Sequence, residues 1–242
     1  MKKIVPFLIF LFFPLVSNAQ YGDHLSVYFG GGYGFLLSSS TGVTKFVDRY
    51  NFTRKAVISK QMETPGMMSG FSFQTGMKGM GLMFELGITS GSGKMTSEAD
   101  PSKVAPGSAT SREIDLKFKG YNLTFGFQFG DHGVALGPVM DVSIINLSFE
   151  TKTNTSGAVG DDIGTNVGIG AGLQIVLGDM EERSFEIVIK PSYIFSLFGP
   201  DFENLYKRTG TTPEEKDYLP DTKGGFGGFQ LNIGINVGFN CI

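Results

Sequence analysis

Residues 113–150 read EIDLKFKGYNLTFGFQFGDHGVALGPVMDVSIINLSFE. Tyr121, Leu123, Phe125, Phe127 and Phe129 take alternate positions, and Asn122, Thr124, Gly126 and Gln128 lie between them. A period of two puts successive side chains on opposite faces of a β-strand. Gly130-Asp131-His132-Gly133 then reads as a tight turn. Asp-His is not the favoured Asn-Gly pair, so the turn type stays open. A two-residue loop at Asp131-His132 would make cross-strand partners sum to 263 in residue number. Tyr121 then faces Val142, Leu123 faces Met140, Phe125 faces Pro138, Phe127 faces Leu136 and Phe129 faces Val134. Every apolar residue meets an apolar partner, and the turn alone set that register.

Towards residue 113 the pattern inverts. The formerly apolar face carries Lys119, Lys117, Asp115 and Glu113, opposite Ile144, Asn146, Ser148 and Glu150. The formerly polar face carries Phe118, Leu116 and Ile114, opposite Ile145, Leu147 and Phe149. One surface is thus oily for about 9 residues, the length of a membrane-crossing β-strand, and wet beyond. A hairpin that crosses a bilayer and continues into water accounts for this: its outer face is greasy in lipid, and its inner face becomes a core in water. A β-bulge in each strand at the same level would also flip the phase.

Met1 to Ala19 has the form of a secretory signal. Lys2 and Lys3 precede an apolar run from Ile4 to Val16, and Ser17-Asn18-Ala19 supplies small residues for cleavage between Ala19 and Gln20. The expected division is a signal peptide over residues 1–19 and one barrel domain over residues 20–242. Loss of Lys2 and Lys3 takes the formal charge from −3 to −5, which gives no electrostatic basis for binding nucleic acid. The single cysteine, Cys241, permits neither an internal disulfide nor a cysteine metal cluster.

Eight segments alternate. Beside the two hairpin strands they run from Leu25 to Phe35, Ser69 to Met77, Leu82 to Thr89, Asn166 to Ile175, Phe185 to Leu197 and Phe229 to Asn240. Long connections are expected over residues 38–66, 92–112, 151–162 and 199–223. Short ones are expected near Lys78-Gly79, at Asp131-His132 and from Asp179 to Glu182. With both termini on one side, the short turns fall on that side and the long loops on the other, the asymmetry of outer-membrane barrels. A soluble eight-stranded barrel also alternates, but its water-facing surface should be rich in Lys and Glu. Here the polar face is Gly, Asn, Gln and Ser, which suits the crowded interior of a narrow barrel. The expected fold is all-β, an eight-stranded antiparallel up-and-down transmembrane β-barrel with periplasmic termini.

In its signal segment, eight strands, alternating connections and strongly patterned last strand, the chain resembles the small Gram-negative outer-membrane barrels of the OmpA/OmpX-like and PorT-like group. The resemblance is architectural and covers the whole mature chain. It departs from the group in having no Trp for the interfacial girdles and in ending Asn240-Cys241-Ile242 rather than on an aromatic residue. Some barrels of this shape acylate or deacylate lipopolysaccharide through Ser or His chemistry at the long-loop end. The only histidines here, His24 and His132, fall at the short-turn end, and they lack the carboxylates or further His of a metal site. Gly91-Ser92-Gly93-Lys94 lacks the first Gly and the final Ser/Thr of a phosphate loop. No catalytic, cofactor-binding or metal-binding residue is expected, so the enzyme reading is the weakest.

Four ionisable residues fall on the interior face within the membrane zone: Glu85, Asp141, Glu186 and Lys190. A charge there needs a partner or water. An ion-paired plug around Lys190 and a merely solvated lumen are both consistent with the sequence. Because acids outnumber Lys190, a protonated carboxyl is an expected consequence of crowding. Lys117 and Lys119 fall at headgroup level as interfacial cations. The first long loop carries Lys45, Arg49, Arg54, Lys55 and Lys60 against Asp48 and Glu63, a net charge of +3. The expected contacts are outer-membrane lipid, lipopolysaccharide, and a protein partner at the extracellular loops or protruding strands. The function read from this is a non-enzymatic outer-membrane protein with a structural, adhesive or partner-binding role; the alternative is a narrow, porin-like channel for small or apolar solutes.

Overall fold

The computed structural model describes residues 25–131, 133–178, 185–216 and 219–240. The segment 1–19, its Ala19–Gln20 cleavage position, both histidines, the Asp179 to Glu182 turn and Cys241 lie outside the described residues. Eight long strands dominate: β1 (Ser26–Ser38), β2 (Met67–Gly79), β3 (Leu82–Ala99), β4 (Ser111–Phe127), β5 (Val134–Thr153), β6 (Ser156–Gly178), β7 (Glu186–Phe198) and β8 (Gly228–Asn240). Each pairs antiparallel with its sequence neighbours, and β1 pairs with β8 from Ser26–Asn240 to Ser38–Gly228. The ring is closed, so its ladder leaves no edge within the membrane zone, as hydrocarbon requires.

The outer face between the turns and headgroup level is apolar. Phe71, Phe73 and Met140 are each about two-thirds exposed (65%, 66% and 68%), and Phe29, Leu86, Phe125, Ile169, Phe195 and Ile235 continue the belt around the ring. A soluble monomer exposes contiguous apolar patches of only a few hundred Å². An unbroken apolar girdle on a closed ladder is the surface of a membrane-spanning barrel. Among the described residues no helix is long and apolar enough to cross a membrane.

The inversion in β4 and β5 occurs without a bulge. Their pairing runs unshifted from Gly126–Val139 to Arg112–Thr153. Ile114, Leu116, Phe118, Ile145, Leu147 and Phe149 are buried on the inner face, above the polar lumen. The environment changes, not the strand. The register itself differs from the expected one by two residues: Tyr121 pairs with Ile144, Leu123 with Val142 and Phe125 with Met140, and Asp131–Val134 closes the hairpin. Gly133 takes the positive φ of the turn, at 87°. The β2–β3 turn likewise lies beyond Lys78-Gly79, at Met80-Gly81, whose φ angles are 50° and 74°.

Two expected loops are largely strand. β3 and β4 pair as far as Glu98–Ser111, so only residues 100–110 connect them. β5 and β6 pair as far as Thr153–Ser156 across the expected 151–162 loop. Strands β3 to β6 therefore form a tall wall, while the opposite side stops near Ser38 and Phe198. The space in front of the wall is filled by α1 (Thr41–Thr53) and α2 (Glu203–Thr209), which occupy the other two expected loops. A short strand, Ile58–Lys60, covers part of the free edge of β3.

Candidate functional site

The lumen at mid-belt is polar and filled. Small residues make the room: a Cβ at Gly30 would fall on the Asn236 carboxamide, and one at Gly34 on that of Asn232. Lys190, on β7, is 4% exposed and enclosed by strands on the opposite wall. Its ammonium donates to Glu85 Oε1 at 2.7 Å and to Thr124 Oγ1 at 3.2 Å, and Asp141 Oδ1 lies 3.8 Å away. The Thr124 hydroxyl donates in turn to Asp141, and Tyr28 donates its hydroxyl to Glu85 Oε2 at 3.0 Å. The charge is thus met by two carboxylates whose own oxygens accept further hydrogen bonds, which is what a buried ion pair needs to persist.

Glu186 does not join this cluster. It pairs with Lys78, whose Nζ also lies 5.9 Å from the centre of the Tyr28 ring. Lys78 escapes a reading that puts it in a turn; extending β2 to Gly79 carries it into the lumen. Two cations therefore face three carboxylates, a smaller excess of acid than Lys190 alone would leave. Near the short turns a small apolar layer of Ala135, Val176 and Val188 occupies the lumen.

Above the polar layers the bore is closed by a protein core. Val43, Phe46, Val47 and Tyr50 of α1, with Phe202, Leu205 and Tyr206 at α2, pack on the inner face of the tall wall. Ser40 caps α1 by accepting from Val43 N at 3.2 Å. Gly42 admits the Phe202 ring so closely that a Cβ there would collide with it. Most of the basic charge of the first long segment ties down this lid. Lys45 pairs with Asp221 at 3.0 Å, Arg49 donates to the Thr212 carbonyl at 2.8 Å, and Arg54 donates to the Thr209 carbonyl at 2.7 Å, at the C-terminus of α2. Lys60 lies 3.7 Å from Glu98.

Outside the belt, Lys117 pairs with Glu150 at 2.7 Å, and Lys119 lies 5.4 Å from the centre of the Tyr121 ring. Glu113 bridges Lys94 at 3.1 Å and Lys152 at 3.2 Å. Hydrogen bonds from these lysines hold the Glu113 and Glu150 carboxyls below the usual range, while those to Glu113 and Glu150 raise Lys94 and Lys117. The outer face of the tall wall is therefore a ladder of exposed, matched charges. Among the described residues no group of three or more His, Cys, Asp or Glu is arranged to hold a metal ion.

No family profile and no curated protein matches the chain. Solved structures with a similar arrangement include Neisserial surface protein A, at 12% identity and a TM-score of 0.48, spanning 90% of this chain and 99% of that one. Ail, the attachment invasion locus protein of Yersinia pestis, aligns at 14% identity and a TM-score of 0.41, spanning 90% and 100%. A major outer membrane protein from Thermus thermophilus aligns at 11% and 0.40, spanning 88% and 99%. At such identities the likeness concerns arrangement alone. The closed ring of eight antiparallel strands and its apolar girdle carry the assignment of this chain as an outer-membrane-type β-barrel.

Proposed function

We propose that this chain is exported through its 1–19 segment, cleaved between Ala19 and Gln20, and inserted in the outer membrane with its short turns in the periplasm. It is a non-conducting, non-enzymatic barrel that acts through its extracellular end. The single observation that carries this reading is double closure: a filled, ion-paired lumen around Lys190 lies beneath a folded lid on the tall wall. A bore blocked at both levels argues against the channel alternative. The strands that project beyond the belt hold a surface well clear of the lipid, which suits a structural, adhesive or partner-binding role. The outer strand edge at residues 156–160 offers main-chain groups for a protein partner. Lys117 and Lys119, outward at the belt margin, are suited to lipopolysaccharide phosphates.

Purified protein in planar bilayers tests the closure. No single-channel openings are expected at moderate voltage, whereas stable openings would establish the channel instead. Acyl transfer or hydrolysis on lipid A by the same preparation would overturn the non-enzymatic assignment.

A further inference from the structure

A cavity of about 140 Å³ lies between α1 and the top of the tall wall. Tyr50 and Arg54 line it from the lid, Ser97, Arg112 and Thr153 from the strands, and Thr110 from the connection between β3 and β4. Arg112 and Thr153 are paired across β4 and β5, and Ser97 faces Arg112 across β3 and β4, so all three share the inner face of the wall. Val57, Ile58 and Val104 give it apolar walls, among which the hydroxyls and the two guanidinium groups are set.

Its charge is unbalanced. Among the described residues Arg112 makes no ion pair with a carboxylate. Arg54 stacks over Tyr50, 4.0 Å from the ring centre, and spends its terminal nitrogens on the Thr209 and Gly210 carbonyls and on hydroxyls of Thr53 and Thr211. It contributes positive charge at a fixed point rather than free donors. Glu98 also lines the cavity, but its carboxylate turns towards Lys60. Burial holds the Arg54 pKa below its usual value and Arg112 lowers it further. Two guanidinium groups that repel each other, with hydroxyls beside them in an otherwise apolar hollow, form a field suited to an anion with several acceptor oxygens.

We propose that this cavity binds a phosphate-type oxyanion, with Arg112 as the donating fork and Arg54 as the fixed charge. The height of the cavity selects the source of the anion. Arg112 lies nine residues beyond Tyr121, the last apolar belt residue of its strand. That is about 30 Å along the strand at the usual rise, and about 20 Å above the belt at the usual tilt. The anion is therefore carried by an extracellular ligand and not by the lipid in which the barrel sits. This assignment rests on the reading of this end as extracellular, but binding in micelles does not depend on which way the barrel faces.

The test is an inorganic phosphate titration of the detergent-purified full chain, followed through the arginine Nε–Hε resonances, with chloride at matched ionic strength as the control. Saturable shifts at Arg112 and Arg54 are expected with phosphate and not with chloride. Arg112→Gln is expected to weaken binding at least tenfold while keeping the heat-shifted gel band of a folded barrel, and Arg112→Lys to retain part of it. Absence of saturation, or equal binding by Arg112→Gln, would overturn the site. Loss of the phosphate response in nanodiscs containing lipopolysaccharide would assign the anion to the membrane and overturn the extracellular source. An epitope at exposed Gly107 separately reports orientation on intact cells, so failure of the outward reading is distinguishable from failure of the site.

Discussion

Lys190 holds contacts that a solvated lysine would not need: Glu85 at 2.7 Å, Thr124 at 3.2 Å and Asp141 at 3.8 Å, with almost no water access. Removing one partner of such a group leaves uncompensated charge, a loss of about 3–5 kcal/mol. Lys190→Met is therefore expected to lower the heat-modification midpoint in detergent well below that of Lys103→Met, a change at an exposed loop lysine; equal midpoints would contradict a structural plug. Tyr206 offers a second test in the lid, where burial, chiefly, with help from Asp221, pushes its pKa up to about 12. The folded state thus keeps a proton that the unfolded state releases near pH 10. Stability from this group is full below pH 10 and is lost as pH rises towards 12. Tyrosinate absorbance and protease sensitivity of the lid are expected to rise together in that window, and a lid indifferent to pH there would contradict its packing. The lumen charges on clear strand interiors, Glu85, Asp141, Glu186 and Lys190, were legible because parity alone sends them inward. Lys78 was not, because its inward position depends on where β2 ends.

At the level of elements, the sequence specifies faces far better than registers. A shift of two residues leaves every side chain on its own face, so Tyr121 can meet Val142 or Ile144 with the same apolar match. Only the turn distinguishes them, and the glycine at 133 supplies the positive φ that puts the turn one residue later. At the neighbouring turn Met80 adopts φ 50°, a left-handed conformation that costs a residue with a Cβ about 1 kcal/mol or more. Asn-Gly is the favoured pair for such a hairpin. Met80→Asn is expected to raise unfolding free energy by up to about 1 kcal/mol in a urea titration, and a decrease would contradict the turn geometry. Helix α1 carries a readable signal inside the expected 38–66 connection: Val43, Phe46, Val47 and Tyr50 stand at helical spacing after Ser40, a good cap. α2 has only seven residues and one capping glycine, Gly210, too little for periodicity to reveal.

For the whole molecule, two solvents explain one pattern. Within the belt the ring is inverted relative to a soluble protein, apolar outside and polar inside; above it, the same strands bury their inner face under the lid. The sequence showed that boundary in β4 and β5, but not that α1 and α2 would supply the covering core, because packing between distant segments leaves no local periodicity. The chain has no Trp, so single introduced tryptophans report without background. The most direct test is therefore quenching by brominated lipid of Phe73→Trp and Phe125→Trp against Phe118→Trp. Strong quenching at positions 73 and 125, with little at position 118, is the predicted result; quenching confined to position 118 would show that the barrel presents its other face to the membrane.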